Sequence, residues 1–164
     1  MARWHLTAAA VVLAVAAAGP ARAAEEGRST GRPVPRFVSL SADTANLRVG
    51  PGERYPVEWV YKRPRLPLKI VGEFGVWRRV RDWSGTQGWM HSALLSGRHT
   101  VQVVGQERRV LRNAPAADAA PVARLTPKVI GDLNRCNQGW CRASFTELTG
   151  WVRARALYGV PRDR

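Results

Sequence analysis

Trp77 to Leu95 reads WRRVRDWSGTQGWMHSALL, and Trp140 to Leu157 reads WCRASFTELTGWVRARAL. Each stretch opens on Trp, runs through alternating residues, turns, and closes on Gly-Trp-aliphatic with a short segment ending in Leu. The echo extends upstream, where Asn46-Leu47-Arg48-Val49-Gly50-Pro51 is answered by Val110-Leu111-Arg112-Asn113-Ala114-Pro115. The offset drifts from 64 residues to 63 and then 62, so single-residue deletions in loops separate two copies of one unit. A repeat of this length decides the architecture before any other signal is weighed.

Working outward, the copies are built of strands. Phe37–Ser41 alternates apolar and polar residues; Asn46–Val49, Val57–Tyr61, Leu68–Glu73, Val76–Asp82 and Thr86–Met90 follow, separated by Gly- and Pro-containing turns. Arg108–Arg112, Val122–Leu125, Lys128–Leu133, Trp140–Phe145 and Thr149–Val152 make five strands in the second copy. No window carries the i, i+3, i+4, i+7 apolar pattern of a soluble helix. Short strands with a turn every 8 to 12 residues predict an all-β chain of two small barrels. Units this small are marginal alone, so each is expected to lean on its neighbour or on a covalent staple. Residues 99–106, HTVQVVGQ, are apolar and β-prone, which predicts rigid packing between copies rather than a linker.

Ahead of the repeats, Arg3 precedes the apolar run Leu6–Ala18 and Ala21-Arg22-Ala23, the pattern of a cleaved secretory signal over residues 1–23. The run is shorter than the roughly 20 residues a membrane span needs. Residues 24–36 hold almost no large apolar side chain and read as a flexible leader. Repeats at 37–98 and 99–160 and a tail at 161–164 complete the division, and an exported, periplasmic monomer is expected. Formal charge falls from +14 to +12 without Arg3 and Arg22, and each repeat carries about +5, so the excess is distributed. Such a charge attracts anionic surfaces without naming one. Outside the cytoplasm nucleic acid is not the expected partner.

Asn46-Leu47-Arg48-x-Gly50-Pro51, then Trp77-x-x-Val80, then Gly88-Trp89-Met90-His91-x-x-x-Leu95, resembles the bacterial SH3-like (SH3b) family, with a looser match in the second copy, where Asn113 and Ala114 replace the small residue and Gly. Two tandem copies behind a signal peptide resemble secreted SH3-like proteins of Gram-negative bacteria. The resemblance implies small five-stranded barrels with binding roles, often toward peptidoglycan or wall-associated partners, and no catalysis.

The residues themselves add candidates. In an alternating strand Trp77, Arg79 and Arg81 share an outer face while Val76 and Val80 point inward, and the same register turns Trp140 and Arg142 outward with Cys141, Ala143 and Phe145 inside. Indole beside guanidinium is the expected ligand platform. Trp89 and Trp151 are expected to fill the barrels, and Gly88 and Gly150 to let rings lie over bare backbone, with Trp77 opposite Gly88. Pro64-Arg65-Leu66-Pro67 reads as a basic loop and His91 as a turn histidine. G-x-S-x-G, H-E-x-x-H and a phosphate-binding Gly-rich loop are all missing, so no enzyme, cofactor or metal site is expected. The leading function is peptidoglycan or peptide-stem recognition at the envelope, and the alternative is a scaffold docking on an envelope enzyme or receptor.

Cys136 and Cys141, the only cysteines, bracket Asn137–Trp140 between strands, and in an exported chain a cross-strand disulfide is the default. The loop is short, giving roughly 2 kcal/mol in the chain-entropy treatment. Alkylation of the denatured, non-reduced protein should label neither thiol. Labelling would remove the staple.

Overall fold

The computed structural model describes residues 25–161; the expected signal sequence lies outside the described residues. Two seven-stranded antiparallel sheets carry the chain, one per repeat. The first comprises β3 (Arg36–Leu40), β4 (Ala45–Arg48), β5 (Val57–Tyr61), β6 (Pro67–Phe74), β7 (Trp77–Arg81), β8 (Gln87–His91) and β9 (Leu95–Ser96), in the order β5-β4-β8-β7-β6-β3-β9. The second comprises β10 (Thr100–Val103), β11 (Arg109–Arg112), β12 (Pro121–Leu125), β13 (Ile130–Asn137), β14 (Trp140–Phe145), β15 (Leu148–Arg153) and β16 (Leu157–Tyr158), in the order β12-β11-β15-β14-β13-β10-β16. The orders are the same once the copies are aligned. Each sheet has seven strands, where six segments in the first copy and five in the second were expected. The additions are β10, the counterpart of β3 inside the segment read as a rigid connection, and the short β9 and β16, each reached through a 3-10 turn at Ser92–Leu94 or Ala154–Ala156.

Barrel closure depends on a close approach of backbones. A Cβ on Gly88 would sit 2.6 Å from Leu47 Cγ and 2.9 Å from the Arg48 carbonyl oxygen; on Gly150 it would sit 2.7 Å from Leu111 Cγ and 2.6 Å from the Arg112 oxygen. Both leucines are fully buried. Gly88 therefore makes room for β4 rather than for a tryptophan ring: across the β7–β8 ladder it faces Val80, and Trp77 faces His91.

Each barrel has its own core. Leu40, Leu47, Leu68, Ile70, Val80 and Met90 form the first, and Val101, Val103, Leu111, Cys141, Ala143, Phe145 and Val152 belong to the second. Val80 enters the barrel as its alternation predicts, but Val76 is 52 % exposed, because it sits in the turn after Gly75 (φ 51°), beyond the strand. Arg78 takes an inward place instead, donating from Nη1 to the Gly75 and Trp77 carbonyls with Nε 3.6 Å from Glu73. Inside the first barrel Tyr61 donates to buried Asp82 (2.9 Å), which also accepts from Ser84 and Thr86 and so shapes the loop after β7. Burial, then the Asp82 carboxylate, push the Tyr61 hydroxyl up, keeping it a neutral donor.

The cysteines are joined as a directly paired cross-strand disulfide, Cα to Cα 4.0 Å, on β13 and β14. The connecting turn is tighter than the four-residue loop expected. Asn137 and Trp140 pair with each other, leaving Gln138 and Gly139, both at positive φ, as the turn.

The repeats meet through a polar and aromatic seam. Arg65 Nη2 lies 2.8 Å and Arg98 Nε 3.4 Å from the Asp132 carboxylate; Thr100 donates to the Arg65 carbonyl, and Ser39 Oγ lies 2.6 Å from both Thr100 Oγ1 and the Arg98 carbonyl. Tyr158 stands edge-on to Phe37 and donates to the Arg81 carbonyl, and Ile130 packs on the first core. Within residues 99–106, Thr100–Val103 is thus part of a sheet, and Thr100 also contacts the first repeat.

The leader is not a flexible strand of polar residues. Its β1 (Glu25–Glu26) pairs with β2 (Pro33–Val34), and Val34 joins the first core. The fixed point is Glu73, whose buried carboxylate accepts from the Ser29 and Thr30 amides, the Thr30 hydroxyl and Arg36. A scarcity of apolar residues is offset here by one well-satisfied buried charge. Burial alone would raise the Glu73 pKa, but the hydrogen bonds from Arg36 and Thr30 outweigh it and hold the carboxyl below its ordinary range.

Two tests follow from these contacts. Gly88→Ala should cost about 1–3 kcal/mol by overpacking, whereas Gly97→Ala, whose added methyl meets nothing within 4 Å, should leave the thermal midpoint unchanged. Because the folded pKa of Glu73 lies below its unfolded value near 4.3, the stability it contributes is complete above that value and is lost as pH falls through the folded one. Protection of the Ser29 and Thr30 amides, taken as exchange relative to the intrinsic rate at each pH, should therefore be high near neutrality and fall in acid, and Glu73→Gln should abolish the difference.

Candidate functional site

β7, β8 and β4 carry their side chains by strict alternation. Val80 and Met90 turn in; Trp77, Arg79, Arg81, Gln87, Trp89 and His91 turn out. On the outer surface the ladders bring Arg48 and Arg79 to either side of Trp89, because Arg48 pairs with Trp89 across β4–β8 and Arg79 pairs with Trp89 across β7–β8. The second repeat repeats the pattern: Arg112 and Arg142 flank Trp151 from β11 and β14. In that copy Arg135 adds a third cation, 5.3 Å from the Trp151 ring centroid, at the position of Gly72 in the first.

Trp89 and Trp151, expected inside the barrels, are thus the half-buried centres of two Arg-Trp-Arg faces. The core places belong to their neighbours Met90 and Val152. The alternation within Gln87–His91 carries that signal, since Gly88 is forced inward by Leu47 and Trp89 must then face out.

The expected platform residues fare unequally. Trp77 is half-buried with its ring edge-on to His91, centroids 5.4 Å apart, and Arg79 and Arg81 are exposed beside it. Arg142 is exposed likewise. Trp140 is on the outer side but is 6 % exposed, because Arg153 replaces His91 as its cross-strand partner and lays its guanidinium 4.0 Å over the ring. What the second repeat presents at that position is a cation backed by indole, not a bare ring.

Position and charge give this face its chemistry. Arg48 and Arg112 each donate from Nη1 to a loop carbonyl, Tyr55 and Ala119 respectively, so they are oriented while keeping other donors. The ion pairs among the described residues involve Glu73, Asp132 and Glu107; Arg79, Arg135, Arg142 and Arg153 enter none of them. Guanidinium forks match carboxylates and phosphates in two-point contact, and a neighbouring indole adds a flat apolar surface. His91 accepts the Ala93 amide at Nδ1 and caps a 3-10 turn. Leu66 and Pro67 of the proline loop are buried, so that loop is part of the barrel wall. Among the described residues no three His, Cys, Asp or Glu side chains are grouped to hold a metal, and no helix is long and apolar enough to cross a membrane.

Two tandem small β-barrels, each with an aromatic and basic outer face, define the class of fold. The chain belongs to the bacterial SH3 domain family, which it matches over residues 41–97 and again over 105–159. It is 26% identical over 125 residues to the putative N-acetylmuramoyl-L-alanine amidase YrvJ of Bacillus subtilis, a match that takes in 69% of this chain and 24% of that protein. The chain therefore spans about a quarter of that relative's length. Among solved structures it is similar to NlpC1 of Trichomonas vaginalis, with 13% identity, a TM-score of 0.36, and 80% of this chain against 48% of that one. NlpC2 of the same organism gives 12%, 0.35, 76% and 48%.

Proposed function

We propose that this chain is an exported, periplasmic, non-catalytic binding module of the cell envelope that holds peptidoglycan through its two Arg-Trp-Arg faces. The observation that carries the reading is the pair Arg48–Trp89–Arg79 and Arg112–Trp151–Arg142, rebuilt in both repeats although much of the sequence between them has diverged. Membership of the bacterial SH3 family and likeness to part of a protein named for action on N-acetylmuramoyl-L-alanine support wall material as the ligand class. The peptide stems supply carboxylates for the guanidinium forks, and peptide or sugar faces lie against the indoles. Two such faces on one chain add their weak contacts wherever both reach the same polymer.

Sedimentation with purified wall sacculi is the test. Trp89→Ala and Trp151→Ala should each weaken binding by about 1–3 kcal/mol, the range for losing an aromatic anchor. Neither should approach the roughly 3–5 kcal/mol of folding free energy lost with a core tryptophan. Binding should also weaken as salt rises, since exposed charges are screened over about 8 Å at physiological ionic strength. Failure to sediment with sacculi would overturn the reading, and salt-indifferent capture of an envelope protein would favour the scaffold alternative.

A further inference from the structure

The hairpin β4–β5 and its counterpart β11–β12 have the same backbone design. Leu47 pairs with Trp59 as Leu111 pairs with Ala123, and Arg48 with Val57 as Arg112 with Pro121, each with a bulge at the same step. The side chains differ in one direction. Val49, Val57, Trp59 and Val60 are all exposed, Trp59 by 58 %. The second copy has Asn113, Pro121, Ala123 and Arg124 at those positions, with one exposed valine, Val122, where the first has Glu58. The fold therefore does not require the apolar set, since the same hairpin forms without it. An indole and three valines gathered on one edge hairpin and left in water forgo the burial that would stabilise them.

β5 also ends its sheet, with β4 as its one ladder partner, so its second edge offers free backbone donors and acceptors. β12 ends the other sheet but carries Pro121, which lacks an N–H, and Arg124, both features that discourage edge pairing. One edge is protected and the other is open and apolar. The C-terminal flank of β5 is basic, with Lys62 and Arg63, whereas before the strand Arg54 stands beside Glu53 and the strand itself carries Glu58. A second copy would bring the same excess of positive charge to the contact.

We infer that β5 is a docking edge for an extended segment of a partner protein, one with apolar residues at alternate positions and acidic residues at the end that meets Lys62 and Arg63. The segment adds as a strand beside Val57–Tyr61. Backbone hydrogen bonds hold it, and Trp59 with the valines selects its side chains. This site adjoins the Arg48–Trp89–Arg79 face through the Arg48–Val57 pair but uses the unpaired edge of β5, and it goes beyond wall binding.

The probe is a displayed library of random linear peptides, panned on the protein and counter-panned on a variant bearing Val49→Asn, Val57→Pro, Trp59→Ala and Val60→Arg, the residues its own second repeat uses. Circular dichroism and melting establish that the variant is folded; if proline disturbs the hairpin, Trp59→Ala with Val60→Arg makes the same comparison. Selected peptides are expected to alternate apolar residues, lack central proline, carry terminal Asp or Glu, and lose at least about tenfold in affinity on the variant. They should bind Trp89→Ala undiminished, and the Trp59→Ala with Val60→Arg variant, which leaves Val57 beside Arg48 in place, should still sediment with sacculi, so the two readings fail separately. Peptides that bind protein and variant alike would overturn the inference, as would a Trp59-dependent dimer in sedimentation equilibrium, which would give the edge to a second copy.

Discussion

Everything in each barrel hangs on one steric constraint: β8 must approach β4 so closely that the residue at the crossing can have no side chain. Leu47 over Gly88 and Leu111 over Gly150 are the same contact made twice. A backbone oxygen and a buried leucine occupy the space of a Cβ, which leaves glycine as the residue that fits. Once Gly88 is pinned inward, alternation turns Met90 into the core and Trp89 out, between Arg48 and Arg79. The glycine that closes the barrel thereby also sets the orientation of the candidate ligand face.

The copies have diverged around that constraint in physically consistent ways. Tyr61 and Asp82 form a buried hydrogen bond in the first barrel; Leu125 and Phe145 stand at the equivalent positions and belong to the second core. A polar pair was exchanged for an apolar pair as a unit, which avoids leaving one buried polar partner alone. The second barrel also carries the Cys136–Cys141 staple, whereas the first gains the leader hairpin gathered on Glu73. Two small cores of the same design are thus supplemented differently.

The seam between repeats is more polar than either core, with Asp132 serving two arginines and Thr100 and Ser39 completing a hydrogen-bonded run. Such groups need defined geometry to be satisfied, and this makes the seam a positioning device as much as a source of stability. It joins the two repeats through contacts of defined geometry.

The repeat, the strand-rich architecture, the cross-strand cysteines and the outward set Trp77, Arg79 and Arg81 were all legible in the residues, because they rest on local periodicity and turn chemistry. So was the β-prone character of residues 99–106, of which Thr100–Val103 forms a strand. What the order of residues could not show depends on which strands become neighbours. Trp89 and Trp151 are aromatic residues next to glycine, equally suited to a core until the β4–β8 crossing decides the face. Trp140 alternates outward as expected, yet Arg153 covers it from the adjacent strand, a contact set by ladder register. The leader reads as too polar to fold, and it is ordered by Glu73, distant in sequence. Local pattern determines which way a side chain points, and tertiary structure decides what it meets there, because cross-strand partners are fixed by closure of the barrel and not by distance along the chain.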